Sequence, residues 1–456
     1  MSITLTINNT PDYLKNSELY KNIESDDSFE VPEQFFKKEI VINTFDDFVG
    51  YLVIFDYWML DKYPNEIYIF IIENKDKINM DILQEQFSMN PLINEIKIII
   101  KIPNNKLCCY FSSVGYLELL KYCHENGFEW LARVDICNYA ALRGRFECLK
   151  YAHENGCEWD ALTCSYAASR GHLDCLKYAH ENGCEWTNST CTIAAENGYL
   201  ECLKYAHENG CMWNSLPCRN ASKNGHLECL KYAHENGCEW DWTTCCYAIE
   251  NGHLECLKYA HENGCDWDEY TSCCAAENGH LECLKYALEN GCEWDKWTCI
   301  GAAKNGHLEC LKYCHKYGCE WDECTSCCAA ENGHLACLKY AHENGCMWDE
   351  NTCSSASENG HLECLKYARE NGCLWEKSTC SGASENGHLE CLKYAHENGC
   401  EWDSLTCYNA ATNGHLECLK YAHENGCEWN SLTCKDATRS GHFECLKYAH
   451  ENGCPV

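Results

Sequence analysis

Basic residues are few in this sequence, with 36 lysines and arginines against 70 aspartates and glutamates among 456 residues. The formal net charge of −34 repels phosphate backbones and anionic lipid headgroups. We therefore expect the protein to bind neither nucleic acid nor membranes. Most carboxylates are expected to form a solvated outer face, and the alternative is that they meet a partner protein with a basic surface.

Long apolar runs are also missing. The runs at residues 67–72 and 96–102 are too short to cross a bilayer. The first residues lack the basic stretch, apolar stretch and cleavage site of a signal peptide. We therefore expect a soluble, intracellular protein.

Signatures of catalysis are missing as well. The glycines are isolated and form no phosphate-binding loop. No histidine stands beside a serine, a cysteine and an acidic residue in an arrangement that occurs only once, as a single active site requires. We expect no enzyme activity, no catalytic residues and no cofactor.

Cysteine, in contrast, is abundant, with 44 residues. A disulfide framework requires an oxidising compartment and is typical of much smaller chains. Zinc sites require ligand pairs at suitable spacing, whereas Cys391 and His396 are five residues apart and fall on different helical faces. We expect the cysteines to pack as small buried apolar residues. Metal binding or thiol-redox chemistry is the alternative.

One 16-residue segment dominates the sequence. Residues 225–240 recur without change at 387–402 and 414–429, and ten near-copies make thirteen in all. From Trp159 to Trp429 a tryptophan returns every 27 residues. A fixed period in this range indicates a solenoid, in which each unit buries its apolar face against its neighbours.

Each unit has the pattern of two helices, as residues 387–413 illustrate. Leu389 and Leu392 belong to an amphipathic helix of about three turns, and Gly399 provides the left-handed residue that ends it. Asp403 is a good N-cap for the next helix. The pattern thus predicts a short helix followed by a longer one, joined by tight turns.

Histidines stand at both ends of the longer helix. His388 precedes it and His396 lies near its end. We expect these imidazoles to bond free backbone carbonyls or to interact with the helix dipole.

The unit resembles an ankyrin repeat. Residues 410–420 read Ala-Ala-Thr-Asn-Gly-His-Leu-Glu-Cys-Leu-Lys and follow that family's Ala-Ala-x-x-Gly-His-x-x-Val-Val-x pattern. The unit lacks about six of the usual 33 residues, at the place of the family's β-hairpin finger. The resemblance implies a mostly α, ankyrin-type helix-pair solenoid of about thirteen repeats over residues 103–456, and a role in binding proteins. Shortened, cysteine-rich copies also resemble ankyrin-like proteins of giant DNA viruses of amoebae, which implies a place in the host cytoplasm.

The first 102 residues contain no copy of the repeat and are richer in Ile, Asn and Lys. Ile3, Leu5 and Ile7 alternate with threonines and predict a short strand. We expect a small α+β domain with its boundary near Pro103. Extended pieces are predicted at residues 29–32 and 39–42, and helices at 14–23, 44–59, 81–87 and 92–96.

This N-terminal segment resembles a BTB/POZ domain. Residues 14–21 are similar to that family's Leu-x-x-Ser-x-x-Phe segment, and residues 38–57 to the strand and helix that follow it. The resemblance implies dimerisation or cullin docking, and hence a substrate adaptor for a ubiquitin ligase. The alternative is a small α+β domain of another kind.

Variation between units is confined to the loop and the first helix. Large side chains gather there in three successive units, and aromatic residues are common anchors of protein interfaces. The alternative is that they cover the neighbouring loop. We also expect that the N-terminal domain or an open C-terminal edge supports self-association. The candidate partner-binding residues are Trp242, Tyr247, Tyr270, Lys296 and Trp297.

Overall fold

The computed structural model describes residues 4–6, 28–30, 65–74, 78, 91–128, 133–267, 269–430 and 432–454. The chain forms two compact units. One comprises residues 1–194 and 201–212, and the other residues 195–200 and 213–456. The predicted boundary near Pro103 stays a prediction.

Two short strands lie near the start of the chain. β1 (Thr4–Thr6) pairs antiparallel with β2 (Ser28–Glu30), with Leu5 opposite Phe29. The strand expected around residues 3–7 is thereby confirmed for residues 4–6, and the extended piece expected at residues 29–32 is confirmed for residues 29 and 30, whereas residues 31 and 32 lie outside the described residues. The expected helices at 14–23, 44–59 and 81–87, the extended piece at 39–42 and the BTB-like segment lie outside the described residues.

Two helices precede the repeats. They span Asn65–Asn74 and Pro91–Lys101, so the apolar runs at 67–72 and 96–102 are largely helical. The Tyr68 hydroxyl donates to Glu95 and joins the two helices. The Tyr122 hydroxyl of the first repeat donates to Glu73 over 2.6 Å. These helices therefore pack against the first repeat, whereas an independent α+β domain stays a prediction.

In the part of the chain that the structure describes, the repeats form thirteen helix pairs. The first helices are Leu107–Val114, Arg133–Leu142, Ala161–Ser169, Asn188–Glu196, Leu216–Lys223, Trp242–Glu250, Glu269–Glu277, Lys296–Lys304, Glu323–Glu331, Glu350–Glu358, Lys377–Glu385, Ser404–Asn413 and Thr433–Ser440. The second helices are Leu117–Glu125, Phe146–Glu154, Leu173–Glu181, Leu200–Glu208, Leu227–Glu235, Leu254–Glu262, Leu281–Glu289, Leu308–Lys316, Leu335–Glu343, Leu362–Glu370, Leu389–Glu397, Leu416–Glu424 and Phe443–Glu451.

The two helices of a pair are of nearly equal length, so the prediction of a short and a long helix is wrong. Trp242–Glu250 and Leu254–Glu262 have nine residues each. A side-chain hydrogen bond defines the start of the first helix, and a left-handed glycine follows its end. The Asp241 carboxylate accepts from the Thr243 N–H over 3.0 Å, and Gly252 adopts a left-handed φ of 75° after the last turn.

Small side chains form the core of each pair. In the pair at 242–262 the buried residues include Cys245 and Ala248 of the first helix and Cys256, Leu257 and Ala260 of the second. Small residues let helix axes approach closely. Within each of the two compact units, the first helix of a repeat packs against the first helices of the neighbouring repeats. Each repeat therefore completes its core with its neighbours.

All 44 cysteines lie among the described residues as free thiols, and all but five are buried. This burial agrees with the predicted packing role. Thiols also satisfy loop carbonyls: Cys265 donates to the Asp241 carbonyl over 3.1 Å. Burial raises the pKa of the Cys256 thiol to about 12, and a thiol with a raised pKa is a poor nucleophile and metal ligand.

Within the described residues, no helix is both long and apolar enough to span a bilayer. In the same residues, no cluster of three or more His, Cys, Asp or Glu side chains could hold a metal ion.

Candidate functional site: aromatic residues of the first helices and loops

Three of the five predicted partner-binding residues are exposed on adjacent first helices. Trp242 is the first residue of its helix, and Tyr270 and Trp297 are each the second residue of theirs. Their exposed fractions are 50%, 56% and 55%. The helices that carry them pack side by side. We call Trp242, Tyr270 and Trp297 the aromatic row.

The other two predicted residues interact within the chain. Tyr247 is half-buried, and the cationic groups of Lys223 and Arg219 lie 5.4 and 5.9 Å from its ring centre. The Lys296 ammonium lies 2.9 Å from an Asp322 carboxylate oxygen of the next repeat. Burial acts to raise the pKa of Asp322, but Lys296 and the Cys324 N–H outweigh it, so this pKa is lowered. Tyr247 and Lys296 thus make contacts within the chain, Lys296 also lying 5.6 Å from the Trp297 ring centre, and their binding of a partner stays a prediction.

A ladder of His, Trp and Tyr side chains follows the loops between repeats. The His234 ring stacks on Trp240 with centroids 3.6 Å apart. Tyr259 of the next repeat meets Trp240 edge-on at 6.0 Å, and its hydroxyl lies 3.2 Å from His234 Nδ1. Each step therefore joins one repeat to the next through three rings. His423 stacks on Trp429 and meets Tyr448 edge-on. The full triad recurs at His153, His180, His261, His315, His342 and His396.

The ladder corrects the expected role of the His396-type imidazole, which stacks on Trp402 and meets the Tyr421 hydroxyl instead of capping the helix. The His388-type residue behaves as predicted. His280 Nε2 lies 3.0 Å from the Glu250 carbonyl at the end of a helix. A Cβ on Gly252 would fall 2.5 Å from the His280 ring, so this position needs glycine.

Two repeats depart from the ladder. Arg369 replaces the stacking histidine, and its guanidinium carbon lies 4.1 Å from the centre of the Trp375 ring. Leu288 stands at the same position in another repeat. Within the described residues, no aromatic ring or cation is placed against the neighbouring Trp294. The ladder is thus interrupted at Trp294.

We expect the protein to lose stability as the pH falls from 7.5 to 5.5. Burial lowers the pKa of His153, His234 and His315 below the ordinary value of about 6.5. The unfolded chain then binds protons that the folded chain does not, so stability falls through this window. The urea midpoint measures the effect.

The control is the triple variant His153→Leu, His234→Leu and His315→Leu. It should show a smaller difference in urea midpoint between the two pH values. An equal difference in both proteins would contradict the role of these histidines, because carboxylate titration is common to both.

Comparison with known proteins identifies the repeated units. A family model described as ankyrin repeats (3 copies) matches residues 219–298. A second, described as ankyrin repeats (many copies), matches residues 108–153, 137–180, 164–207 and 380–423. None of the curated proteins matches this chain. The ankyrin repeat domain of human ASB11 is similar to 34% of this chain, over 84% of its own length, with 22% identity and a TM-score of 0.32.

The helix pairs within the matched residues are therefore ankyrin repeats, and the fold is a mostly helical ankyrin-type solenoid. Repeats of this kind imply a scaffold for protein–protein interaction. The chain's own departures are its 27-residue period and its cysteine-rich core. No strand occurs in the described loops between repeats, so contacts made through β-hairpin fingers do not carry over.

Proposed function

We propose that this chain is a non-catalytic scaffold that binds a partner protein through the aromatic row. The observation that supports the proposal most strongly is the exposure of three large aromatic rings on adjacent first helices. Apolar rings that remain half exposed are costly to leave in water, and aromatic anchors dominate the energy of many interfaces.

The distribution of sequence variation supports the same face. The second helices carry nearly one sequence throughout, whereas the first helices differ between repeats. A surface that is identical in every repeat cannot distinguish one site along the array from another. The first helices supply that distinction. Trp242 stands where other repeats carry residues such as Ala, Asn, Ser, Glu or Lys, and Tyr270 and Trp297 stand where others carry residues such as Leu, Ser, Thr, Cys or Asn.

The charge of the repeats favours a partner with a basic surface. In the representative unit, Glu390, Glu397 and Glu401 are exposed, and a Lys393–Glu390 ion pair of 2.9 Å leaves most of the negative charge unpaired. Complementary charge accelerates association and selects among partners more than it adds affinity.

We expect the double variant Trp242→Ala and Trp297→Ala to bind captured partners at least about 30-fold more weakly, as the loss of ~2 kcal/mol from interface anchors implies. Affinity capture from the native host cell would supply the partner, and titration with the purified partner would measure its affinity. Leu162→Ala is the control matched to Trp297, because Leu162 is 49% exposed and is likewise the second residue of its first helix, outside the row. Equal affinity of the double variant and the wild type would overturn the proposal.

The adaptor role for a cullin-type ubiquitin ligase is the alternative, as is self-association through the N-terminal segment. Both rest on the BTB-like residues 14–21 and 38–57. A pull-down would test the adaptor role. The full chain should capture cullin, and deletion of residues 1–62 should abolish this capture. Retained binding without those residues would exclude the BTB-like segment as the docking element.

A further inference from the structure

A groove opens beside the ladder, on the loop side of the repeats. Its volume is about 520 Å³, and it lies between two successive turns at Gly264 and Gly291. It is separate from the aromatic row, because the row lies on the first helices and the groove is lined by residues of the loops and turns and by His261 at the end of a second helix. The described lining residues are His261, Gly264, Cys265, Asp266, Trp267, Gly291, Cys292 and Glu293.

The chemistry of the lining selects for positive charge. Asp266 and Glu293 are both exposed and contribute two carboxylates from neighbouring repeats. The described lining contains no lysine or arginine to neutralise them. A cation that enters the groove gains charge-assisted hydrogen bonds to both repeats at once.

Trp267 adds a flat apolar wall. The indole is half-buried and held in place by His261, which stacks on it at 3.7 Å, and by Tyr286, which meets it edge-on at 6.1 Å. A rigid indole is the best aromatic surface for a cation and for the alkyl stem that carries it. The groove thus offers an apolar wall with two acidic groups at its rim.

Another repeat of this chain shows which group can lie against a tryptophan at the ladder position. In the repeat whose second helix carries Arg369 near its end, the guanidinium lies 4.1 Å from the Trp375 ring centre, and Nη1 donates to the Cys373 carbonyl over 3.5 Å. A planar guanidinium therefore fits against a loop tryptophan in this fold, in the place that His261 holds beside Trp267.

We propose that the groove at Asp266, Trp267 and Glu293 binds an arginine side chain from a basic segment of the partner protein. Arginine is favoured over lysine because its planar fork bonds carboxylates in pairs and stacks on indole. This inference rests on the proposed function only in that the ligand is a protein. It adds a second contact surface and gives its chemistry.

The test is titration of the full chain with a labelled peptide of two arginines among glycines and serines, followed by fluorescence anisotropy at a fixed, near-physiological salt concentration. The double variant Asp266→Asn and Glu293→Gln should bind about tenfold more weakly, a change of ~1.4 kcal/mol. The double variant Glu255→Gln and Glu282→Gln removes equal charge from the second helices of the same repeats, where both carboxylates are 67% exposed. It should bind within about twofold of the wild type, because long-range attraction is screened at this salt concentration.

Each other outcome overturns the inference. Equal weakening of both double variants would mean non-specific attraction by the net charge. No binding to the wild type would exclude the site, and equal affinity for the lysine analogue of the peptide would exclude a guanidinium site. The Trp242→Ala and Trp297→Ala variant separates the two proposals, because it should lose the partner and retain the arginine peptide.

Discussion

Trp240→Ala should destabilise the array by about 2–4 kcal/mol. The substitution removes the stacked contact with His234 and the edge-on contact with Tyr259, and each aromatic pair contributes about 0.5–1.5 kcal/mol beyond its apolar area. It also exposes apolar surface between two repeats that now shield each other. Urea unfolding gives the overall loss. Hydrogen exchange should show the fastest new opening in helices Leu227–Glu235 and Leu254–Glu262.

Trp294 provides the matched control for this prediction. It occupies the same loop position, but Leu288 replaces the stacking histidine. Trp294→Ala should therefore cost about 1–3 kcal/mol less than Trp240→Ala, the contribution of two ring contacts. Equal losses of stability in the two variants would mean that contacts between the ladder rings add nothing beyond the apolar area that each tryptophan buries. The ladder would then be a consequence of packing rather than a source of stability.

Valine substitution of seven buried threonines should stabilise the protein by roughly 4–7 kcal/mol in total. Each hydroxyl is buried and has no hydrogen-bond partner among the described residues. An unsatisfied buried hydroxyl costs about 1 kcal/mol or more, and valine has the same shape and a similar helix propensity. The sites lie in different repeats, so their effects should largely add. The threonines are Thr244, Thr298, Thr325, Thr352, Thr379, Thr406 and Thr433.

Thr163 is the internal control for the threonine series. It is equally buried, but its hydroxyl donates to the Asn138 side-chain oxygen over 2.6 Å. Thr163→Val should therefore destabilise by about 1–3 kcal/mol, because the buried acceptor is left unpaired. Thr352→Val should shift the urea midpoint in the opposite direction. Shifts of the same sign in the two variants would show that hydrogen bonding does not decide the effect.

The helix pairs could be predicted from the sequence because their boundaries are marked by single residues. Asp403 accepts from the Leu405 N–H and begins its helix as expected. Gly399 and Gly414 adopt left-handed backbone after helix ends. These signals are local, so spacing alone locates them. The prediction of a shorter first helix is wrong because the apolar spacing of Cys407, Ala410 and Ala411 marks only part of the helix, which begins at Ser404 after the Asp403 cap and ends at Asn413.

The ladder could not be derived in the same way. His234, Trp240 and Tyr259 lie in one repeat and the next, and only the packing of repeats brings them together. Their spacing along the chain is constant, but a period of 27 residues gives every repeated residue a constant spacing. The spacing therefore does not predict which residues are in contact. The exposure of Trp242 and Trp297 also depends on packing. Variation along the first helix indicated that face, but it could not separate Tyr247, which is covered by Lys223.

The constant offset between ladder rings has a consequence for how such a gene could change length. His234 contacts the tyrosine 25 residues ahead, and the next histidine, His261, does the same. If residues 241–267 were lost in frame, Tyr286 would take the place of Tyr259 beside His234 and Trp240. The new interface between repeats would be chemically equivalent to the original one. Recombination can therefore shorten or lengthen the chain by whole repeats without creating an interface of mismatched side chains.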